Sequence, residues 1–121
     1  MAYLINLPTF NDSRGSLTVL EKLLPFEIKR LYCIYNVTDI RGGHRHKNNV
    51  QAFICLGGKC EVYINNRTKN TIFILDTPEK CLIVEAEDWH TMDKFSKGSS
   101  LLVLSSEYYD KNDYIFTEYP E

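Results

Sequence analysis

Eight short runs of apolar and β-branched residues, separated by turn chemistry about every ten residues, constrain this chain more than any other feature. They fall at residues 16–20, 29–37, 50–56, 59–64, 71–75, 81–85, 100–106 and 113–118. Runs of that length at that spacing predict an all-β sandwich or barrel. Gly57-Gly58 lies between two runs with no residues to spare, the setting in which two glycines accept the positive φ of a tight hairpin. Asn65-Asn66-Arg67-Thr68-Lys69-Asn70 supplies a looser turn further on. The only helical candidate is a short segment at residues 21–26, ended by Pro25.

At 121 residues, 44% hydrophobic and 25% charged, the chain is expected to form one domain over residues 1–121 with one core. Fourteen basic against sixteen acidic side chains leave a formal charge of −2, so no bulk field favours nucleic acid or an anionic membrane. An anionic ligand would need placed arginines. No signal peptide or membrane span is expected, which points to the cytoplasm. Cys33, Cys55, Cys60 and Cys81 form no Cys-x-x-Cys pair and sit in apolar runs, as reduced, buried thiols do.

The chain has three histidines, and two of them, His44 and His46, stand in Arg41-Gly-Gly-His-Arg-His-Lys47. Two residues apart in an extended segment, they project from one face and can address one small molecule or one metal ion, while Arg45 points the other way, to solvent. The third, His90, lies in Asp-Trp-His-Thr-Met and is the natural partner from elsewhere in the fold. In the run at residues 29–37, alternation sets Arg30, Tyr32 and Ile34 on one face and Leu31, Cys33, Tyr35 and Val37 on the other. The second set reads as core or subunit interface. A guanidinium and a phenol in mid-strand read as the wall of a polar pocket or as solvent-facing. Gln51 shares a face with Phe53 and Cys55.

Gly43-His44-Arg45-His46, then Gln51, then Gly58, with Trp89-His90 later, resemble the two-motif pattern of the cupin superfamily of small jelly-roll barrels. Asp12-Ser-Arg14-Gly15, Lys29-Arg30-Leu31-Tyr32 and the Arg41–Lys47 string sharpen this. Together they resemble the dTDP-4-keto-6-deoxyhexose 3,4-ketoisomerases, and the likeness spans essentially the whole chain. Metal-binding cupins usually carry a glutamate where Gln51 stands, so no metal and no cofactor is expected.

The resemblance implies a dTDP-linked 4-keto-6-deoxyhexose as ligand and a homodimer, with residues 3–7 and 107–119 as interface candidates. The implied role is deoxysugar synthesis for bacterial surface glycans. Moving the ketone from C4 to C3 needs a base for the C3 proton, a donor to the developing oxyanion and a proton for C4. His46 is the expected carbon base, His44 the oxygen-side acid and Tyr32 the donor. Arg14, Arg30, Arg41, Gln51 and His90 are the expected substrate contacts, with Arg14 and Arg30 on the diphosphate. A 3,5-epimerase, a metal-dependent cupin enzyme and a non-catalytic sugar-binding cupin are the alternatives.

Overall fold

Strand alternation resolves into two facing sheets. The computed structural model describes residues 1–120. Its strands are β1 (Tyr3–Asn6), β2 (Thr9–Asp12), β3 (Gly15–Thr18), β4 (Arg30–Tyr35), β5 (Arg41–His46), β6 (Gln51–Leu56), β7 (Cys60–Asn65), β8 (Asn70–Leu75), β9 (Lys80–Val84), β10 (Trp89–Asp93), β11 (Ser100–Ser105) and β12 (Tyr114–Ile115). One 3₁₀ turn, Lys111–Asp113, precedes β12. The first sheet runs β1-β9-β6-β11-β4 and the second β12-β5-β10-β7-β8, while β2 and β3 form a separate hairpin. Every pairing is antiparallel. This is the jelly-roll barrel expected from the resemblance.

Phe53, Cys55, Val62, Ile64, Leu82, Val84, Leu101 and Val103 fill the space between the sheets. The outer face of the first sheet is buried too: Ala52, Ile54, Cys81, Ile83 and Leu104 lie beneath Leu20, Leu24 and Phe26. Strand β6 is therefore covered on both faces, and its apolar run shows no clean alternation for that reason. Fully burying each large side chain contributes roughly 1.5–3 kcal/mol.

Several expectations need correction. Residues 21–26 form bends and no helix, because Leu24 and Phe26 are drawn onto the outer face of the sheet. Gly57 and Gly58 do take positive φ, +72° and +150°, but β6 and β7 belong to different sheets, so this turn crosses between layers instead of closing a hairpin. A Cβ at Gly58 would run into Ser96 Oγ, which receives the Lys59 N–H. Residues 65–70 do close a hairpin, with the Asn66 carboxamide oxygen accepting the Thr68 and Lys69 N–H groups. Strands β1, β2 and β10 lie outside the expected runs, since their sequences carry few apolar residues in alternation, while β5 is the extended segment expected around His44 and His46. Cys33 is exposed, unlike the other three cysteines, because Leu31, Cys33 and Tyr35 face outward from the edge strand β4. That set belongs to no core within this chain. No described helix is long and apolar enough to cross a membrane.

Candidate active site

Strand pairing brings the three histidines together. His44 on β5 stands opposite His90 on β10, with ring centroids 4.9 Å apart, and His46 lies 5.0 Å from His44 and 6.1 Å from His90. This approach depends on Gly42, at φ +87°: a Cβ there would sit 2.9 Å from the His90 carbonyl oxygen and 3.0 Å from Met92 Sδ. Any larger residue would push β5 off β10.

His46 is 3% exposed, and its Nδ1 lies 2.9 Å from Asp113 Oδ2. Asp113 sits in the 3₁₀ turn and also accepts the Asn48 N–H at 2.8 Å and the Asn49 N–H at 3.3 Å. A carboxylate held that way takes the hydrogen of Nδ1 and leaves the Nε2 lone pair open. Nε2 is buried and has no hydrogen-bond partner among the described residues. His90 Nδ1 donates in the same manner to the Asp88 carbonyl at 2.9 Å.

Burial governs the protonation of the cluster. It lowers His44 from 6.5 to about 4, helped by the neighbouring His46 and opposed by a hydrogen bond to the Gly42 backbone. His90 falls to about 3, again chiefly through burial. His46 is also pushed down by burial, with Asp113 pulling back. All three are neutral near pH 7, the form that can accept a proton. Burial raises Tyr32, so its phenol keeps its hydrogen and can donate.

A cleft of about 430 Å³ opens beside them, lined among others by Arg30, Tyr32, Arg41, His44 and Tyr114. That volume is in the range of small-molecule sites. The Arg30 guanidinium stacks over Tyr32 at 4.5 Å and over Tyr109 at 5.3 Å. His46, His90 and Gln51 lie behind the cleft wall, all buried. Gln51 donates to Tyr32 Oη at 3.0 Å and to Ser105 Oγ at 3.3 Å.

Arg14 is elsewhere. Its side chain is 88% exposed on the β2–β3 hairpin, paired with Asp12 at 2.7 Å, beside a separate cleft lined by Phe10, Asp12, Arg14, Gly15, Ser16 and Leu17. Arg45 corrects an expectation. Its side chain does leave the histidine face, but it is half-buried and not fully solvated, because its guanidinium stacks on Tyr119 at 4.5 Å and its Nε is buried. The tail that covers it returns over the second sheet: the Phe116 carbonyl accepts from Trp89, and Glu118 accepts from Tyr63 and Asn65.

Two site residues escape sequence reasoning. Asp113 is 67 residues from His46 in a polar stretch that reads as a turn or strand start. Tyr114 packs its ring 4.7 Å from both His44 and His46. Nothing in their local sequence marks either one.

Three imidazoles with ligand atoms within 4.8 Å of one another match a transition metal in number. The rest of the donor set does not fit. Asp113 is spent on His46 and two backbone amides, and Gln51 supplies no anionic oxygen to offset a divalent charge.

Known proteins resemble this chain in sequence and fold. The chain is 41% identical over 115 residues to a TDP-4-oxo-6-deoxy-α-D-glucose 3,4-oxoisomerase from Aneurinibacillus thermoaerophilus, covering 92% of this chain and 83% of that one. A 3,4-ketoisomerase from Helicobacter canadensis superposes with a TM-score of 0.90 at 40% identity, covering 96% and 90% of the two chains. The sugar 3,4-ketoisomerase QdtA from Thermoanaerobacterium thermosaccharolyticum, solved in complex with TDP, superposes at 0.91 with 39% identity, covering 96% and 88%. A dTDP-4-dehydrorhamnose 3,5-epimerase from Bacillus anthracis, at 20% identity and 0.82, shares the fold. Residues 2–120 match the family described as FdtA: WxcM-like, C-terminal, and the chain belongs to that family.

Proposed function

We propose that this chain is a sugar 3,4-ketoisomerase that converts dTDP-4-keto-6-deoxyglucose into a dTDP-3-keto-6-deoxyhexose. The relatives above carry this activity in their names. The single observation that carries the reading is the His46–Asp113 pair, with Nε2 left open among the described residues and the His44 ring 5.0 Å away.

His46 takes the C3 proton, and the electrons of the C–H bond form the C3=C4 bond of an enediol while negative charge develops on O4. Tyr32 donates to that oxygen. His44, on the cleft wall, moves a proton from O3 to O4. Return of the carbon proton to C4 then leaves the ketone at C3, so atoms balance with no co-reactant. General acid–base transfer contributes about 10²–10⁴-fold per positioned group. Tyr114 packs its ring on both imidazoles.

Arg30 and Arg41 hold the diphosphate from the cleft rim. The expected contact from Arg14 requires a second copy of the chain. Outward-facing Leu31, Cys33 and Tyr35 on the edge strand β4, and exposed Phe10 and Leu17 on the β2–β3 hairpin, support a homodimer in which each hairpin lies over its partner's β4. The catalytic unit is one domain, residues 1–121, working in the cytoplasm on a sugar nucleotide destined for surface glycans.

Proton NMR of the purified protein with dTDP-4-keto-6-deoxyglucose tests the reading. The C3 proton signal should disappear as a 3-keto product forms, and in D₂O the product should carry deuterium at C4 to the extent that the proton on His46 exchanges with solvent before it is returned. An unchanged spectrum overturns it. A C4 ketone retained with inverted C3 or C5 would mean epimerisation.

A further inference from the structure

Gln51 opens β6 in register with Ser105 of β11 and Val84 of β9, on the strand face it shares with Phe53. It is 1% exposed. An apolar residue there would pack without desolvation cost, whereas a primary amide needs partners for two hydrogens and a carbonyl. The hydrogens are spent on Tyr32 Oη and Ser105 Oγ. Tyr32 Oη therefore receives one hydrogen bond from behind and keeps its own hydrogen for the cleft it lines.

The other end of the amide is unmatched. Gln51 Oε1 is buried without a partner, and so is His46 Nε2. Burial holds the His46 proton affinity down, Asp113 opposes this from Nδ1, and Gln51 is the second side chain that favours the protonated ring. Buried polar atoms left open in a native core call for a reason. Here the two open atoms become a donor and an acceptor once His46 is protonated. The opposite amide orientation would cap Nε2 with an N–H and draw the Tyr32 hydrogen inward, disabling both groups.

We propose that Gln51 is a positioning residue for the isomerisation. Its nitrogen aims the Tyr32 hydroxyl at the sugar oxygen, and its carbonyl receives the N–H that His46 acquires from carbon. The expected role of Gln51 as a substrate contact is thereby replaced by one behind the wall, coupling base to oxyanion donor. This rests on the chain being a ketoisomerase, so wild-type turnover is the first measurement.

The test is a double-mutant cycle on kcat and KM with Gln51→Met and Tyr32→Phe, and with dTDP affinity read by calorimetry. Gln51→Met should lower kcat about tenfold or more, the scale of one lost hydrogen bond, with KM and dTDP affinity within about threefold. In the Tyr32→Phe background the same change should cost clearly less. Gln51→Glu keeps the shape but accepts at both ends, so it should draw the Tyr32 hydrogen and hold His46 protonated, lowering kcat further than methionine does. It also serves if the methionine variant fails to fold. An unchanged or raised kcat, an effect confined to KM, or full additivity with Tyr32→Phe overturns the proposal. An inactive wild type overturns the function instead.

Discussion

The histidine cluster and the β2–β3 hairpin are built on opposite principles. Around His46 every anchoring group comes from the same chain: Asp113 fixes the ring, β10 supplies His90, and Tyr114 packs against both imidazoles of β5. On the hairpin, Arg14 is almost fully exposed and its only ion-pair partner among the described residues is Asp12 two residues away, with Phe10 and Leu17 uncovered beside it. The groups proposed to transfer protons are held by contacts within one chain, whereas the arginine expected to bind diphosphate is presented outward. Preorganisation matters where protons move, because misplacement of a base costs rate steeply, and less where a charge has to be met by a charge.

The contrast breaks most visibly at Asp113. Asp113→Asn should lower kcat by about 10²-fold or more, because an amide no longer imposes the tautomer on His46, while dTDP binding changes little. Full activity in that variant, measured by steady-state kinetics, would remove the carboxylate from the mechanism.

Arg14→Ala should weaken dTDP binding by about ten- to a hundredfold, the scale of a charge-assisted bond, as read by calorimetry. If the hairpin crosses to a partner, mixing Arg14→Ala chains with His46→Asn chains should recover activity at low substrate. In a mixed dimer one site has both residues intact, so about a quarter of all sites are restored. No recovery after subunit exchange would place Arg14 outside the partner's site.

Stability should follow the buried imidazoles. The folded chain resists protonation of His44 until about pH 4 and of His90 until about pH 3, whereas an unfolded histidine titrates near 6.5. The unfolded state therefore binds more protons between these values. This contribution to stability is complete above about pH 6.5 and is lost progressively as pH falls toward 4. Urea unfolding from pH 7.5 to 4.5 checks it, and His90→Gln should flatten the dependence.

The smallest effect belongs to Arg45, whose contact with Tyr119 is a cation–π stack under the returning tail. Arg45→Ala should cost about 1 kcal/mol in stability and leave dTDP affinity unchanged. A large loss of binding would mean that the cleft lies on the other side of the sheet.

The His-x-His spacing, the face shared by Arg30 and Tyr32, and the all-β sandwich or barrel class were all legible before folding. They depend on strand period and turn chemistry, which act over a few residues. Asp113 and Tyr114 were not legible, because their role arises from a contact across 67 residues that no local pattern encodes. The fate of Arg45 was hidden for the same reason, since alternation says which face a side chain takes but not what will cover it.

The amino-acid sequence alone thus determined the period of the strands, the presence of neutralisable imidazoles on one face, and the absence of a general positive field for a nucleotide. Only the tertiary structure decided which nitrogen of His46 is open, that Gln51 is buried against Tyr32, and that Arg14 lies away from the cleft. The physical reason is one of range. Side-chain direction is a property of the local backbone, but tautomer, desolvation and charge pairing belong to whatever the fold brings within a few ångströms.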